Sequence, residues 1–332
     1  MIEDFCAVIA IKHEEAMKSR LPAAFHKILG RRVIDYMLIN LAEMSPKEIF
    51  VLMDEEYFHH MDKSPVKVIC KRLGTDVDDI KKEYGGDVEF VVFEEVRIET
   101  TIIADRQSLV DATFCLMSDV NQGHMCNGVT IANPANTYIG PDAKIGIDTI
   151  IYPGAIIEGD TTIGENCIIG QNCRLVNMTI GDGVEMWHTV ALDSEIDDNS
   201  IIGPFAYLRP GSKIGKNVKI GDFVEVKNSV VGDGSKASHL SYIGDATIGE
   251  NVNIGCGAIT VNYDGVTKQR TVVEDGAFIG CSTNLIAPVT VGKGAYTAAG
   301  STINKDVPSD ALGIARCRQE NKENWATKRK GK

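Results

Sequence analysis

The sequence lacks several features that would assign it to common protein classes. No apolar run in its 332 residues approaches the roughly 20 residues that a membrane helix needs. Basic residues are in deficit, and the formal net charge of −12 argues against broad nucleic-acid binding, which requires a basic surface. The first residues, MIEDFCAVIAIKHEE, carry early acidic side chains and only a short apolar run, so no signal peptide is expected. These absences predict a soluble, cytoplasmic protein without a membrane span or a nucleic-acid partner.

Metal-binding patterns are also missing. The nine cysteines are scattered without CxxC spacing, as expected for free thiols in a reducing cytoplasm. The seven histidines are dispersed, and no pair of them brackets a carboxylate in the second half of the chain. We therefore expect the chemistry of this half to proceed without a bound metal.

The second half does contain a repeat of six residues. An aliphatic side chain recurs at every sixth position from Ile139 to Leu175, and the pattern resumes after short slips at Ile202, Ile243 and Ile279. A period of six fits neither an α-helix nor a two-faced strand, and it is the signature of a parallel β-helix of hexapeptide repeats. Three hexads make a coil, so residues about 18 positions apart stack on each other. A homo-oligomer commonly buries the flat faces of such a solenoid.

The first half is organised differently. Apolar, β-branched runs at 6–11, 48–53 and 88–93 predict buried strands, and RVIDYMLINLAEM at 32–44 predicts a helix between the first two. This order predicts a β-α-β unit with a parallel sheet, followed by a connecting helix near 104–126. The predicted domains are a small α/β domain (1–97), a linker helix (98–127), a parallel β-helix (128–312) and a polar, basic tail (313–332).

Two cations occupy the same place in consecutive coils of the predicted solenoid. Arg209 follows the interior Leu208, and Lys227 follows the interior Val226, three hexads further along the chain. Backbones of neighbouring coils lie about 4.8 Å apart, so these like charges are unfavourable unless an anion lies between them. The pair is either a phosphate site or two surface cations with no ligand.

Two segments interrupt the repeat close to this pair. KASHLSYIGD (236–245) places His239 and Tyr242 about one turn beyond Lys227. An isolated histidine is more often structural than catalytic, but a neutral imidazole is the natural base at pH 7, and this position favours catalysis. VNYDGVTKQRT (261–271) contains the turn sequence Asn-Tyr-Asp-Gly and predicts a protruding loop. The loop is either a plain surface insertion or an arm that carries Lys268 to a neighbouring subunit.

Long segments of the second half closely resemble one family. They are GPFAYLRPGSKIG, GDFVEVKNS, SHLSYIGDATIGENVNIGCGAITVNYDG and APVTVGKGAYTAAGSTINKDV. The family is the bacterial bifunctional glucosamine-1-phosphate acetyltransferase / N-acetylglucosamine-1-phosphate uridyltransferase, and the resemblance covers about residues 104–332. It implies a left-handed β-helix, a homotrimer, and transfer of acetyl from acetyl-CoA to glucosamine 1-phosphate for UDP-N-acetylglucosamine and cell-envelope synthesis.

The resemblance also implies roles for single residues. His239 corresponds to the base that takes a proton from the sugar's 2-amino group. The sugar-binding positions are Arg209, Lys227, Tyr242, Asn253 and Lys268, and the acetyl-CoA positions are Cys256, Asn262, Tyr263, Cys281, Ala299 and Arg316. The family commonly has alanine in place of Cys256, where a backbone contact would stabilise the thioester oxyanion. It commonly has serine in place of Cys281, whose weaker hydrogen bonding could lower acyl-CoA affinity.

The first half resembles the family's uridyltransferase domain only faintly. Where the family has the glycine-rich LAAGxGTRM that holds nucleotide phosphates, this chain has IAIKHEEAMKSRLP. Lys12 and Glu14 stand at glycine positions, Ala16 replaces an arginine, Ala23 a lysine and Ala104 a metal-binding asparagine. Side chains there block close backbone approach, and an acidic one repels phosphate. The resemblance therefore implies a truncated domain that has lost its magnesium site and its uridylyl transfer.

Two other functions stay open at this point. One is a hexapeptide acyltransferase that acts on another amino sugar or carries a longer acyl group, which Cys281 would allow. The other is a non-catalytic paralogue that regulates an intact bifunctional enzyme. The retained Arg209, Lys227 and His239 speak against the second, because a chain without activity would be expected to lose some of them.

Overall fold

The computed structural model describes residues 5–12, 17–19, 21–84, 88–93, 95–98 and 101–330. The chain divides into two compact units. The first comprises residues 1–126 and 133–142, and the second comprises 127–132 and 143–332. The predicted boundary between linker and solenoid lies beside this division, and the functional domain limits stay a prediction.

The first unit is built on a four-stranded parallel sheet. Its strand order is Ile69–Arg72, Ile49–Met53, Phe5–Ala10 and Glu89–Phe93. The two central strands are almost continuously apolar because both faces of the sheet are covered. Helix Val33–Glu43 packs in the core on one face, so the predicted β-α-β unit is confirmed.

Two details of this sheet differ from the sequence-based expectation. The apolar run at 88–93 predicts a buried strand, but Glu89–Phe93 is only half-buried. It lies at the sheet edge with one neighbouring strand, and solvent reaches its other side. Strand Ile69–Arg72, at the opposite edge, was not predicted because it ends in two basic residues.

The remaining elements of the first unit are short strands and helices. The strands are Lys27–Ile28, Arg31–Arg32, Arg97–Ile98, Thr101–Ile102 and Tyr138–Ile139. The α-helices are Val77–Tyr84 and Arg106–Cys126, and the 3-10 helices are Ala23–Phe25, Glu55–Met61 and Pro134–Asn136. The long helix confirms the connecting helix expected near 104–126. Within the described ranges, no helix has both the length and the apolar character to cross a membrane.

The second unit is a left-handed parallel β-helix with three faces. The first face contains Ile156–Glu158, Arg174–Val176, Val190–Leu192, Tyr207–Leu208, Glu225–Lys227, Tyr242–Gly244, Ile259–Val261, Asn284–Ile286 and Thr302–Ile303. The second face contains Lys144–Ile145, Thr162–Ile163, Thr179–Ile180, Glu195–Ile196, Lys213–Ile214, Val230–Val231, Ala246–Ile248, Thr271–Val273 and Val289–Val291. The third face contains Thr130–Ile131, Ile150–Ile151, Ile168–Ile169, Glu185–Met186, Ile201–Ile202, Lys219–Asp222, Lys236–His239, Asn253–Ile254, Phe278–Ile279, Tyr296–Thr297 and Leu312–Gly313.

The coils stack in the register that the six-residue period predicts. Leu208 pairs with Val226, its equivalent three hexads later, and both are fully buried in the interior. The next coil is one residue shorter, so Val226 pairs with Ile243. Ile254 pairs with Ile279, because the loop that starts at Asn262 lengthens that coil. The described part of the tail after the last strand is exposed, and it includes the short helix Trp325–Lys330.

Candidate active site

Arg209 and Lys227 lie one above the other at the end of the first face. The Arg209 amide donates to the Val226 carbonyl at 2.8 Å, as expected for adjacent coils. Arg209 Nη1 lies 2.9 Å from Glu225 Oε1, and Lys227 Nζ lies 3.3 Å from Asp245 Oδ2. These carboxylates balance the stacked charges, so the stacking alone does not require a bound anion. The six-residue period does not predict these carboxylates, because it does not specify the side-chain conformations that bring them beside the cations.

Asp245 is the most firmly held side chain of this group. It is 10% exposed, and it accepts hydrogen bonds from Asn228 Nδ2 at 2.6 Å and Asn262 Nδ2 at 2.5 Å in addition to its contact with Lys227. Burial acts to raise the pKa of this carboxyl group, but the three donors outweigh it and hold the pKa below its usual value. Asn262, a position assigned to acyl-CoA by resemblance, thus has its amide engaged by Asp245.

We expect Asp245→Asn to destabilise the protein at neutral pH by about 1–3 kcal/mol, because Lys227 loses its charged partner. The folded-state pKa of Asp245 lies below its unfolded value of about 3.9. Its charge therefore stabilises the fold above that pH, and this contribution is lost as the pH falls through the folded-state pKa. Thermal unfolding at pH 7 and about pH 3 should show a deficit that shrinks in acid.

The exposed pair Lys213–Glu195, at 2.9 Å on the second face, supplies the matched control for this experiment. Glu195→Gln should change the unfolding temperature little at either pH, because exposed ion pairs contribute little to stability. An Asp245→Asn deficit of equal size at both pH values would contradict the electrostatic explanation.

The loop that leaves the six-residue period closes on its own coil. The Gln269 amide donates to the Asn262 carbonyl at 2.8 Å, and Tyr263 forms an antiparallel bridge with Lys268. Asp264 Oδ1 accepts two backbone amides of the turn, at 2.6 and 2.8 Å. The turn expected from Asn-Tyr-Asp-Gly is therefore present, and the loop leads the chain from the first face to strand Thr271–Val273 on the second face.

Lys268 joins the cation pair within the same chain. Its amine lies close to that of Lys227, and the nearby Lys227 amine lowers the pKa of Lys268. The Lys268 amine, and after it the Asp245 carboxylate, raise the pKa of Lys227. The cations of Arg209, Lys227 and Lys268 thus face two carboxylates. Placement of Lys268 over a neighbouring subunit stays a prediction.

His239 lies at the corner where the third face ends and the first begins. Strand Lys236–His239 pairs with Lys219–Asp222 and places His239 opposite Asp222, where Nδ1 lies 2.5 Å from Oδ1. The contact with His239 is the main cause that lowers the pKa of Asp222. An ionised carboxylate can only accept hydrogen bonds, so Nδ1 of the ring is the donor. A ring that donates from Nδ1 carries its lone pair on Nε2, as a general base requires. The imidazole is 59% exposed.

Tyr242 connects this corner with the cations. It begins the first-face strand that follows His239, and Gly244 ends that strand in register with Lys227. A Cβ on Gly244 would come within 2.3 Å of the Tyr242 hydroxyl oxygen, so the ring lies along the strand over this glycine. The phenol therefore extends from the histidine end of the face towards the cationic end. Only glycine permits this close approach.

Several of the positions that the resemblance assigns to acyl-CoA form a column above His239. Cys256, Cys281 and Ala299 each follow an interior residue of the third face by two positions, as His239 does. Successive coils stack in that register, so these residues occupy one edge of the solenoid. We call His239 and these three residues the corner column.

The other predicted residues lie around the corner column or apart from it. Arg316 lies at its upper end, where its Cδ would be 3.9 Å from a Cβ on Gly300. Asn253 lies on the third face between Lys236 and Phe278, so one chain does not bring it beside the cations. Tyr263 is exposed in the loop at the opposite end of the first face.

Asp222 is the functional candidate that sequence reasoning missed. Asp222 and His239 are 17 positions apart, one fewer than three full hexads, because this coil is one residue short. The interior residues Ile220 and Ala237 pair in the same register, so aligning these two positions in the sequence would have placed Asp222 opposite His239. Among the residues that the structure describes, no group of three or more histidine, cysteine or acidic side chains could hold a metal ion.

Comparisons with known proteins match the repeat. The family described as bacterial transferase hexapeptide (six repeats) matches residues 136–177, and the family described as GMPPB C-terminal domain matches 190–289. The chain is 54% identical to the bifunctional protein GlmU of Brevibacillus brevis, over 78% of this chain and 56% of that protein. It is 57% identical to that of a Geobacillus species, over 76% and 54%. The chain thus spans about half the length of the curated relatives it matches.

A solved structure gives a weaker match. The UDP-N-acetylglucosamine acyltransferase of Arabidopsis superposes with a TM-score of 0.37 at 18% identity, over 57% of this chain and 66% of that one. This similarity is too low to support an argument about function.

Proposed function

Because its hexapeptide-repeat part makes this chain a member of the bifunctional GlmU family, we propose that it transfers acetyl from acetyl-CoA to the 2-amino group of glucosamine 1-phosphate. The product, N-acetylglucosamine 1-phosphate, would supply UDP-N-acetylglucosamine for the cell envelope. The observation that carries the proposal is the Asp222–His239 pair, which lies beneath the acyl-CoA positions of the corner column. The test is the release of CoA thiol that depends on glucosamine 1-phosphate.

The corner geometry supports a direct transfer to the sugar amine. Nε2 of His239 accepts a proton from the amine, and the nitrogen attacks the thioester carbonyl carbon. The carbonyl oxygen gains negative charge, which the backbone amide at Cys256 would stabilise. The C–S bond then breaks, and CoA leaves as the thiolate and takes up a proton. Asp222 stabilises the imidazolium that forms during the step.

The cations at the other end of the first face support recognition of the sugar phosphate. Three basic side chains face two carboxylates here, so the basic groups outnumber the acidic ones by one. The basic residues are Arg209, Lys227 and Lys268. A phosphate would find charged donors there, and Tyr242 would lie along the sugar. No metal ion enters this step. The loss of the magnesium site of uridylyl transfer is part of the same proposal.

We also propose that the protein is a cytoplasmic homotrimer. Asn253 and the cations lie on different faces of one chain, so a neighbouring subunit could complete the sugar site. The exposed side chains of Phe205, Phe223 and Leu240 follow one another along the corner that carries His239, each at positive φ. The two phenylalanine rings stack at 5.4 Å. An apolar ridge of this kind supports burial against another copy.

Arg209→Ala is expected to raise KM for glucosamine 1-phosphate about tenfold or more, because a hydrogen bond to a charged group contributes roughly 1.5–3 kcal/mol. KM for acetyl-CoA should change little. Arg174→Ala is the matched control, since Arg174 also lies on the first face and pairs with an acidic residue, Glu158, at 3.3 Å. Steady-state kinetics of both variants measure this difference. An unchanged KM for the sugar phosphate would favour the interpretation of Arg209 as a surface cation without a ligand.

Asp222→Asn is expected to lower kcat about tenfold, a part of what general-base catalysis supplies, with KM nearly unchanged. The amide cannot fix the ring with Nδ1 as donor in the same way, and it cannot balance the imidazolium charge. The same substitution in a His239→Ala background should have no further effect, because Asp222 acts through the imidazole. Equal losses in the two backgrounds would show that Asp222 has only a structural role.

A further inference from the structure

Two cysteines lie directly above one another in the corner column. Ile254 pairs with Ile279, and continuation of this register brings Cys256 opposite Cys281. The Ser282 amide donates to the Cys256 carbonyl at 2.7 Å, which joins the two coils at this point. Both cysteines are free thiols, and Cys281 is exposed while Cys256 is half-buried.

The separation of the two cysteines suits a disulfide. Stacked coils lie about 4.8 Å apart, and disulfides span Cα separations of about 4.4–6.8 Å. Side chains at equivalent positions of stacked coils leave the backbone on the same side, so the two thiols share one edge of the solenoid. The exposed Cys281 offers an entry point for a soluble reagent.

The buried cysteines of the solenoid provide a contrast. Cys167 and Cys173 lie in its interior, where Cys167 Sγ donates to the Gly181 carbonyl at 3.1 Å. Burial raises the pKa of the Cys173 thiol to about 11 and keeps it protonated. Such thiols are inert towards exchange. The corner column therefore differs from these sites in both access and pairing.

The cysteine pair adjoins the proposed reaction centre. The Gly257 amide donates to the Leu240 carbonyl at 3.1 Å, which places Cys256 one coil above His239. A bond between Cys256 and Cys281 would tie together two coils at the positions assigned to acyl-CoA. Its effect on catalysis rests on the proposed function, but its formation does not.

We propose that Cys256 and Cys281 form a redox-active dithiol, which closes to an internal disulfide by exchange with a low-molecular-weight disulfide and thereby blocks the acyl-CoA site. The thiolate of Cys281 attacks one sulfur of the small disulfide, forms a mixed disulfide and releases one small thiolate. The thiolate of Cys256 then attacks the Cys281 sulfur and releases the second. Two protein thiols are oxidised, and one small disulfide is reduced to two thiols.

The bond itself is tested on the native full chain with oxidised glutathione as the probe. Peptide mapping without reduction should find Cys256 linked to Cys281, and dithiothreitol should remove the link. Cys256→Ala and Cys281→Ser should each abolish it. Cys317→Ser is the control, because Cys317 is exposed but lies outside the corner column, and this variant should still form the link. Stable glutathione adducts, or a link between other cysteines, would overturn the proposal.

Acetyl transfer by the same samples tests the consequence. The oxidised protein should be about tenfold or more less active than the reduced protein, with full recovery in dithiothreitol. For Cys256→Ala and for Cys281→Ser, the activity measured before treatment with oxidised glutathione should equal the activity measured after it. A linked protein with unchanged activity would overturn the blocking role. A further outcome is a protein that forms the link on oxidation and yet shows no acetyl transfer when reduced. That result would support the dithiol and overturn the proposed function.

Discussion

His239→Ala is expected to lower acetyl transfer to glucosamine 1-phosphate by about 100-fold or more, the contribution typical of a general base. The structure gives the physical reason. Asp222 holds Nδ1 of the ring at 2.5 Å, which leaves Nε2 to accept the proton of the sugar amine. Without the imidazole, the amine must lose its proton to water, and the imidazolium that Asp222 would stabilise does not form.

The measurement compares kcat of the wild type and of His239→Ala, with KM for both substrates. His59→Ala is the control, because His59 is an exposed histidine of the first unit. Its activity should stay within about twofold of the wild type, as for most surface substitutions. A His239→Ala variant with similar activity would contradict the assignment of the base.

Uridylyl transfer is expected to be absent altogether. The phosphate-binding loop of the family would follow strand Phe5–Ala10, where Lys12 is exposed in place of a glycine. Glu14 and Ala16, the other two departures, lie outside the described residues. Ala23 is buried in the core of the first unit, so that position offers no cation to a nucleotide phosphate. Ala104 is exposed just before helix Arg106–Cys126 and has no side-chain oxygen for a metal ion.

The assay combines the chain with UTP, magnesium and N-acetylglucosamine 1-phosphate and measures UDP-sugar by chromatography. An intact bifunctional GlmU protein serves as the positive control. This chain should yield no product above the enzyme-free background. Appreciable turnover would show that the substituted loop still binds nucleotide, and it would refute the predicted loss.

The solenoid could be predicted because the repeat leaves few alternatives. Aliphatic side chains at every sixth position can be buried together only if three short strands close a coil, so the pairing of Leu208 with Val226 follows from counting. The same count placed Arg209 beside Lys227. Counting in steps of six fails at a coil that is one residue short of three hexads and at the coil that the loop lengthens. The short coil explains why counting does not place Asp222 opposite His239.

Other features could not be read from the period. The counter-charges Glu225 and Asp245 depend on side-chain conformation, which the repeat does not specify. The placement of Lys268 beside Lys227 depends on how the loop closes, and its turn residues predict the turn but not its direction. In the first unit, Glu89–Phe93 has the composition of a buried strand, but its place in the strand order decides its exposure.

The most direct test of the central claim is the release of free CoA thiol from acetyl-CoA by the wild-type chain, with and without glucosamine 1-phosphate. The proposed function predicts release that depends on the sugar phosphate and yields N-acetylglucosamine 1-phosphate in equal amount. A folded solenoid, verified by circular dichroism, that releases no thiol above background would contradict it. Release with another amino sugar alone would instead favour a hexapeptide acyltransferase with a different substrate.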